Sequence, residues 1–374
     1  MKKLFYIVAI ALITGCTTTK MRRTLEDVET YISQRPDSAL AVIESIDSAQ
    51  LTRKGIRAHH ALLHAMALDK NYIDVADDSL ARTAVSYYQK HGPKKRLARA
   101  MYYLALSYFY DRQHDKAIIE LAKAEPIAEK HDSLYWGFTK VLQASIYDKN
   151  YNDVAECEAL EKAVEIYSDI NATYYINVAK HRLSQSYISN KKYDDAKKLL
   201  EELLGSNEIN NRIKTQIMRD YAFLMGINPH YDLQLSTSYY EKVALVENGK
   251  YMSRHDYWVW AYVLSKIGEK ERAYEITDSL KNIDASGTAY YFQYLIAKND
   301  NLTTTALDRL ENFSKKNDEE VTQILKQSIS TIQKEYYQSQ FEITDYKAKN
   351  RLLIIICIIT ISVIMAIITG IANS

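Results

Sequence analysis

The stretch "ARAMYYLALSYFYDRQHDKAIIELAKAE", residues 98–125, decides the fold. Ala105 stands three residues before Tyr108, while Ala117, Leu121 and Ala124 follow it by nine, thirteen and sixteen. The same frame returns in "KHRLSQSYISNKKYDDAKKLLEELL" (180–204), with Ser184, Tyr187, Ala196, Leu200 and Leu203. It returns again in "QASIYDKNYNDVAECEALEKAV" (143–164), with Ala144, Tyr147, Leu160 and Ala163, although Glu156 occupies the place of the small residue. A helical hairpin accounts for this spacing. Small residues on a first helix let a second approach closely, the tyrosine fills the space between them, and Leu and Ala at helical intervals face the seam. One hairpin cannot bury its apolar side alone, but stacked hairpins can, and they form a superhelix with a long concave face.

Composition supports the same reading. Ten glycines and four prolines in 374 residues are few, and a quarter of the residues are charged, which suits long helices. We therefore expect an all-α chain. With 48 basic and 47 acidic residues the charge is balanced, so no nucleic-acid partner is expected. The basic group Lys90, Lys94, Lys95, Arg96 and Arg99 falls at an interhelix turn and reads as a solvated face. The 31 tyrosines are accounted for by hairpin seams.

These units resemble tetratricopeptide repeats, helix-turn-helix units of about 34 residues, and "YDDA" at 193–196 is typical of their second-helix entry. A further unit fits in "DYWVWAYVLSKIGEKERAYEITDSL" (256–280), where Leu264 replaces the tyrosine and Ala261, Gly268, Ala273 and Leu280 keep their offsets. "YISQRPDSALAVIESID" and "HHALLHAMALDKNYIDVADDSLARTAVSYYQKHG" read as degenerate hairpins, with Pro36 opening a helix where proline costs nothing. Around "GINPHYDLQLSTSYYEKVAL" the pattern departs furthest, and Gly226 and Pro229 are expected to lengthen the turn. The repeat array is placed at residues 24–316. By the repeat frame, Arg99, Tyr102, Tyr103, Leu106, His181, Arg182 and Gln185 are candidates for a partner-binding groove on the concave face. They do not reproduce the Lys and Asn clamp of chaperone-binding repeats. An aromatic and basic groove suits an extended or helical peptide.

Both ends of the chain carry membrane signals. Lys2 and Lys3, the apolar run Leu4 to Ile13, and Thr14-Gly15 have the form of a signal peptide at 1–15. The sequence "ITGC" resembles the lipobox of bacterial lipoproteins, which implies a covalent lipid on Cys16 and a tether at 16–23. Residues 352–372 hold 21 positions without charge, about 31 Å of helix, the thickness of a bilayer's hydrocarbon core. Ahead of this predicted transmembrane helix, Leu325, Ile329, Ile332, Tyr336, Ser339, Ile343 and Tyr346 alternate four and three apart within a helical stalk at 317–351. That seam forms either a coiled-coil homodimer or a face packed on the last repeat. The layout is similar to repeat lipoproteins and membrane-bound regulators of Bacteroidetes.

The export signal places the repeats in the periplasm, held at a bacterial inner membrane. Lys347, Lys349 and Arg351 point the other way by the positive-inside rule, and a start at Met21 would give a cytoplasmic tail-anchored protein. No enzyme chemistry is visible. His60 and His64 lie one turn apart in "HALLH", but the glutamate of the metalloprotease pattern is replaced by alanine, so no metal or other cofactor is expected. Cys157 reads as a small buried hydrophobe. The functional expectation is a noncatalytic scaffold that binds a protein or peptide. The alternative is the sensor half of a transmembrane regulatory system whose cytoplasmic output lies elsewhere.

Overall fold

The spacing around Tyr108 becomes a hairpin in the computed structural model, which describes residues 19–228, 230–280, 283–319, 321–322 and 351. Helices α5 (Lys94–Tyr110) and α6 (His114–His131) pack antiparallel, as do α7 (Ser133–Lys149) with α8 (Asp153–Asp169) and α9 (Thr173–Ser189) with α10 (Tyr193–Gly205). The quoted frame is their shared seam. Ala105, Ala117, Leu121, Ala124, Ala144, Leu160, Ala163, Ser184, Ala196, Leu200 and Leu203 are all essentially inaccessible. Each buried leucine contributes about 1.5–3 kcal/mol, and the alanines allow the close approach that buries it.

The frame tyrosines behave differently from expectation. Tyr108, Tyr147 and Tyr187 are only half-buried. Their rings cross the seam and their hydroxyls end at its edge, where Tyr187 donates to Glu161 at 2.9 Å and Arg82 donates to Tyr108 at 2.9 Å. Their carbonyls close the turn. The amides of Gln113, Asn152 and Lys192, five residues on, donate to the carbonyls of Tyr108, Tyr147 and Tyr187 at 2.8, 2.9 and 2.8 Å. The residue before each donor, Arg112, Tyr151 or Lys191, is left-handed with φ of 58°, 54° and 59°. This is the six-to-one bond of a Schellman cap. Leu264 does the same through Gly268 (φ 89°) and Glu269.

Two compact units divide the chain, Met1–Met252 and Ser253–Ser374. The first begins with α1 (residues 19–31), whose start lies within the range expected for a tether, followed by α2 (Pro36–Glu44), α3 (Lys54–Lys70) and α4 (Ser79–Tyr88). Pro36 does open α2. After α10 come α11 (Asn211–Ile227) and α12 (Leu233–Leu245). Gly226 does not lengthen the turn here. It lies buried inside α11, and the connection runs from Asn228 to Asp232, whose carboxylate caps α12 through the amides of Gln234 and Leu235. The second unit holds α13 (Arg254–Lys266), α14 (Lys270–Leu280), α15 (Gly287–Asn299) and α16 (residues 303–319), with α13 packed on both α14 and α15. Ser253 and Asp256 form a reciprocal capping box at the start of α13.

Gly137 illustrates how tightly a hairpin closes. A Cβ there would fall 2.2 Å from Cε1 of Tyr167, a ring that is 2% exposed, so the α7–α8 seam has no room for a methyl group. Among the described residues there is no strand, and no helix is long and apolar enough to cross a membrane. The expected leader at 1–15, Cys16, the stalk seam from Leu325 to Tyr346 and the span at 352–372 lie outside the described residues.

Candidate functional site

In the first unit, the first helices of successive hairpins touch, α3 with α5, α5 with α7, and α9 with α11, while among the described residues the second helices make no comparable contact. The stack therefore curves toward its first helices, and their outward-facing side chains line the inner face. A band of rings crosses it. Tyr102 lies 5.5 Å from Tyr135 and 5.9 Å from Phe138, Phe138 lies 5.0 Å from Tyr175, and Tyr175 lies 5.4 Å from Tyr167 and 5.2 Å from Tyr174. The Nζ of Lys70, at the end of α3, stands 5.0 Å from the Phe138 ring centroid, a cation–π contact. Tyr102, Phe138 and Tyr175 are half-buried, each packed in part against the core.

The seven residues expected in the groove divide into three kinds. Tyr103 and Leu106 are 2% and 7% exposed and belong to the core: Tyr103 reaches both α3 and α7, and Leu106 lies among α3 and α4 residues such as Leu68 and Leu80. The Tyr103 hydroxyl donates to Asp69 at 3.2 Å and shares a 3.1 Å hydrogen bond with the Tyr135 hydroxyl. Burial pushes the Asp69 carboxyl above the usual carboxylate range, with Lys70 opposing it. The cavity beside these groups, lined in part by Asp69, Tyr103, Leu106 and Tyr110, is about 20 Å³, room for a single water and not for a peptide side chain.

Arg99, His181 and Gln185 are engaged in tying helices together. Arg99 donates from Nη1 to Glu29 at 3.0 Å and from Nε to Asp132 at 2.7 Å, and Glu29 also accepts from Arg96 at 2.7 Å and from His59 at 2.9 Å. Burial pushes Glu29 up, but the hydrogen bonds from His59 and Arg96 outweigh it and hold the carboxyl at about 2. Three helices, α1, α3 and α5, and the residue capping α7 are thereby joined. In the next seam, His181 and Gln185 each donate to Oδ2 of Asp220 at 2.7 Å, and Arg219 donates to Oδ1 at 2.9 and 2.7 Å. Burial raises Asp220, yet the His181 hydrogen bond and the Arg219 charge leave it below its ordinary value. His60, outside the groove, donates from Nε2 to the Ile43 carbonyl at 3.0 Å.

Tyr102 and Arg182 remain as candidates for the groove. Tyr102 joins the aromatic band. Arg182 is half-buried and donates from Nη1 to the Val141 carbonyl at 3.3 Å, and among the described residues it forms no ion pair. Burial pulls its guanidinium below the ordinary arginine range, and Glu156 and Asp148, beyond ion-pair reach, offset only part of that. Glu156 itself is 8% exposed and raised by burial, and it accepts from Ser186 Oγ at 2.8 Å. Cys157 is buried beside it, with Sγ 3.1 Å from that same hydroxyl.

Three residues of this face were not among the candidates drawn from the sequence. Phe138 stands nine residues before Tyr147, the step that selects Arg99 before Tyr108, so the frame applied to α7 would have found it. Tyr175 and Lys70 sit at no corresponding step, and nothing in the sequence marks them.

The architecture is that of an all-α, tetratricopeptide-like helical solenoid. The apo form of the quorum sensor NprR from B. thuringiensis superimposes with a TM-score of 0.58 at 17% identity, over 75% of this chain and 82% of its own. The apo form of RapI gives 0.56 at 12% identity, over 83% and 87%, and NprR in complex with its cognate peptide NprX gives 0.52 at 16%, over 78% and 87%. At these identities the likeness is one of fold. No protein-family model matches the chain, and no curated protein matches it.

Proposed function

We propose that the chain is a noncatalytic scaffold whose first-helix face receives an extended or helical segment of a partner protein. The observation that carries this reading is the band of half-buried rings, Tyr102, Phe138 and Tyr175, with Lys70 and Arg182 on the same face. Aromatic and arginine side chains supply anchoring contacts out of proportion to their number, and these sit on helices fixed by the Glu29 and Asp220 networks. The NprR–NprX complex supports the reading as a precedent of the same fold holding a peptide.

Attachment to a membrane belongs to the proposal and rests on sequence: a lipid on Cys16, a span at 352–372, and repeats in the periplasm. A dimer through the stalk rests on the Leu325–Tyr346 heptads in the same way. Metabolic labelling with palmitate, compared with Cys16→Ser, tests the lipid, and an unlabelled parent protein rejects it in favour of a start at Met21.

Site-specific photo-crosslinking tests the groove. A photoreactive residue at Tyr175 should yield a discrete adduct that the same residue at Ile119, an exposed position on a second helix, does not. Identical adducts from both positions, or none from Tyr175, refute the groove.

A further inference from the structure

Arg182 differs from Arg99, Lys180 and Arg219 in what it meets. Arg99 reaches two carboxylates at 3.0 and 2.7 Å, Lys180 reaches Glu202 at 2.5 Å and Arg219 reaches Asp220 at 2.7 Å. Arg182 meets none among the described residues, and its one hydrogen bond, to the Val141 carbonyl, is long at 3.3 Å. A guanidinium carries five N–H donors in a planar fork that matches a carboxylate with two parallel bonds. Held half out of water without a counter-ion, it gains strongly from any carboxylate that arrives.

The neighbourhood limits what brings that carboxylate. Val141, which Arg182 touches, lies one turn beyond Phe138 on α7, about 4.5 Å along the helix axis. An extended peptide advances about 3.3 Å per residue. A ligand whose acid sits on Arg182 therefore places a side chain one to three positions away on the Phe138–Tyr175 ring pair. Glu156 and Asp148 influence Arg182 electrostatically from beyond ion-pair distance and leave the guanidinium fork itself unpaired among the described residues.

Resting on the groove reading above, we propose that the partner segment is an acidic peptide, presenting a carboxylate to Arg182 and an apolar or aromatic side chain, one to three residues away, to Phe138 and Tyr175. The carboxylate comes from an Asp or Glu side chain.

The test uses the purified full-length chain and fluorescein-labelled positional-scanning libraries of short peptides, made both as C-terminal acids and as amides, with binding read by fluorescence anisotropy. Wild type should bind pools fixed as Asp or Glu about tenfold or more tightly than those fixed as Asn or Gln. A difference that instead separates C-terminal acids from amides overturns the side-chain assignment. Arg182→Gln should abolish the difference while residual binding of aromatic pools persists, and Arg182→Lys should retain part of it; thermal melting of both variants controls for folding. Equal binding of acidic and amide pools, or an acid preference that survives in Arg182→Gln, overturns the proposal and leaves the groove standing. If no pool binds a folded wild-type chain, the groove reading falls with it.

Discussion

Arg99 and Arg182 are both half-buried arginines on the inner face of first helices, and replacing each by methionine should move stability in opposite directions. Methionine keeps most of the unbranched side-chain volume and removes only the charge and donors. At Arg99 the loss strands Asp132, whose side chain is 5% exposed, and takes one of three donors from Glu29, whose side chain is 20% exposed. Removing one partner of a buried pair costs about 3–5 kcal/mol because the other charge is left uncompensated. Arg96 and His59 still serve Glu29, so the expected cost lies toward 3 kcal/mol. At Arg182 the change strands nothing. The Val141 carbonyl still accepts from Ser145 Oγ at 3.1 Å in addition to its place in α7. What disappears is a guanidinium whose desolvation is answered by one long hydrogen bond. Replacing poorly compensated buried charge by apolar volume is neutral or stabilising by about 1–4 kcal/mol, and the half-exposure of Arg182 sets the expectation at about 1 kcal/mol of gain.

Urea unfolding followed by circular dichroism compares the two, with hydrogen exchange to assign the change to α5 or α9, since a repeat array need not unfold in one step. Arg99→Met should lower the midpoint and Arg182→Met should hold or raise it. A loss of 1 kcal/mol or more in Arg182→Met would mean that Arg182 supports the fold, and the account of it as an unused anchor would be wrong.

Acid should weaken the first unit. Glu29 is held below its ordinary value, at about 2, so the stability it contributes is full above about 4.5 and is lost as pH falls toward 2, roughly 3 kcal/mol in all. Asp220 acts in the same direction. Urea midpoints between pH 5 and 2 should fall less steeply in Glu29→Gln, which starts lower, and parallel slopes would refute the assignment. Gly137→Ala should cost about 1–3 kcal/mol, because its new Cβ meets the buried Tyr167 ring, and thermal melting checks this against Gly205→Ala, where a Cβ meets nothing within 4 Å. Lys191→Gly should raise the melting temperature, because a left-handed residue with a Cβ costs about 1 kcal/mol that glycine avoids. A destabilised Lys191→Gly would show that the turn is not the strained element proposed.

The seams were legible because they are written in side-chain volume at fixed intervals. Ala117, Leu121 and Ala124 must be small or apolar for α6 to approach α5, and that requirement survives in the letters. The turns were less legible, since among the four frame turns glycine marks the left-handed position only at Gly268, while Arg112, Tyr151 and Lys191 adopt it under the compulsion of the flanking helices. The groove was least legible, for a reason of range. Tyr102 and Tyr103 are consecutive in the frame and both rings meet α7, yet only Tyr103, which also reaches Asp69 on α3, is sealed. Charge is harder still, because pairing depends on partners far away in the chain. The two carboxylates that neutralise Arg99 come from 70 residues before it and 33 after, and no local pattern announces either. Arg182 carries the same side chain in an equivalent helix, and it differs only in that the fold brings no carboxylate to it. A frame of apolar letters can therefore say which residues face inward, but whether an inward cation is paired within the fold or left unpaired is settled by the whole stack.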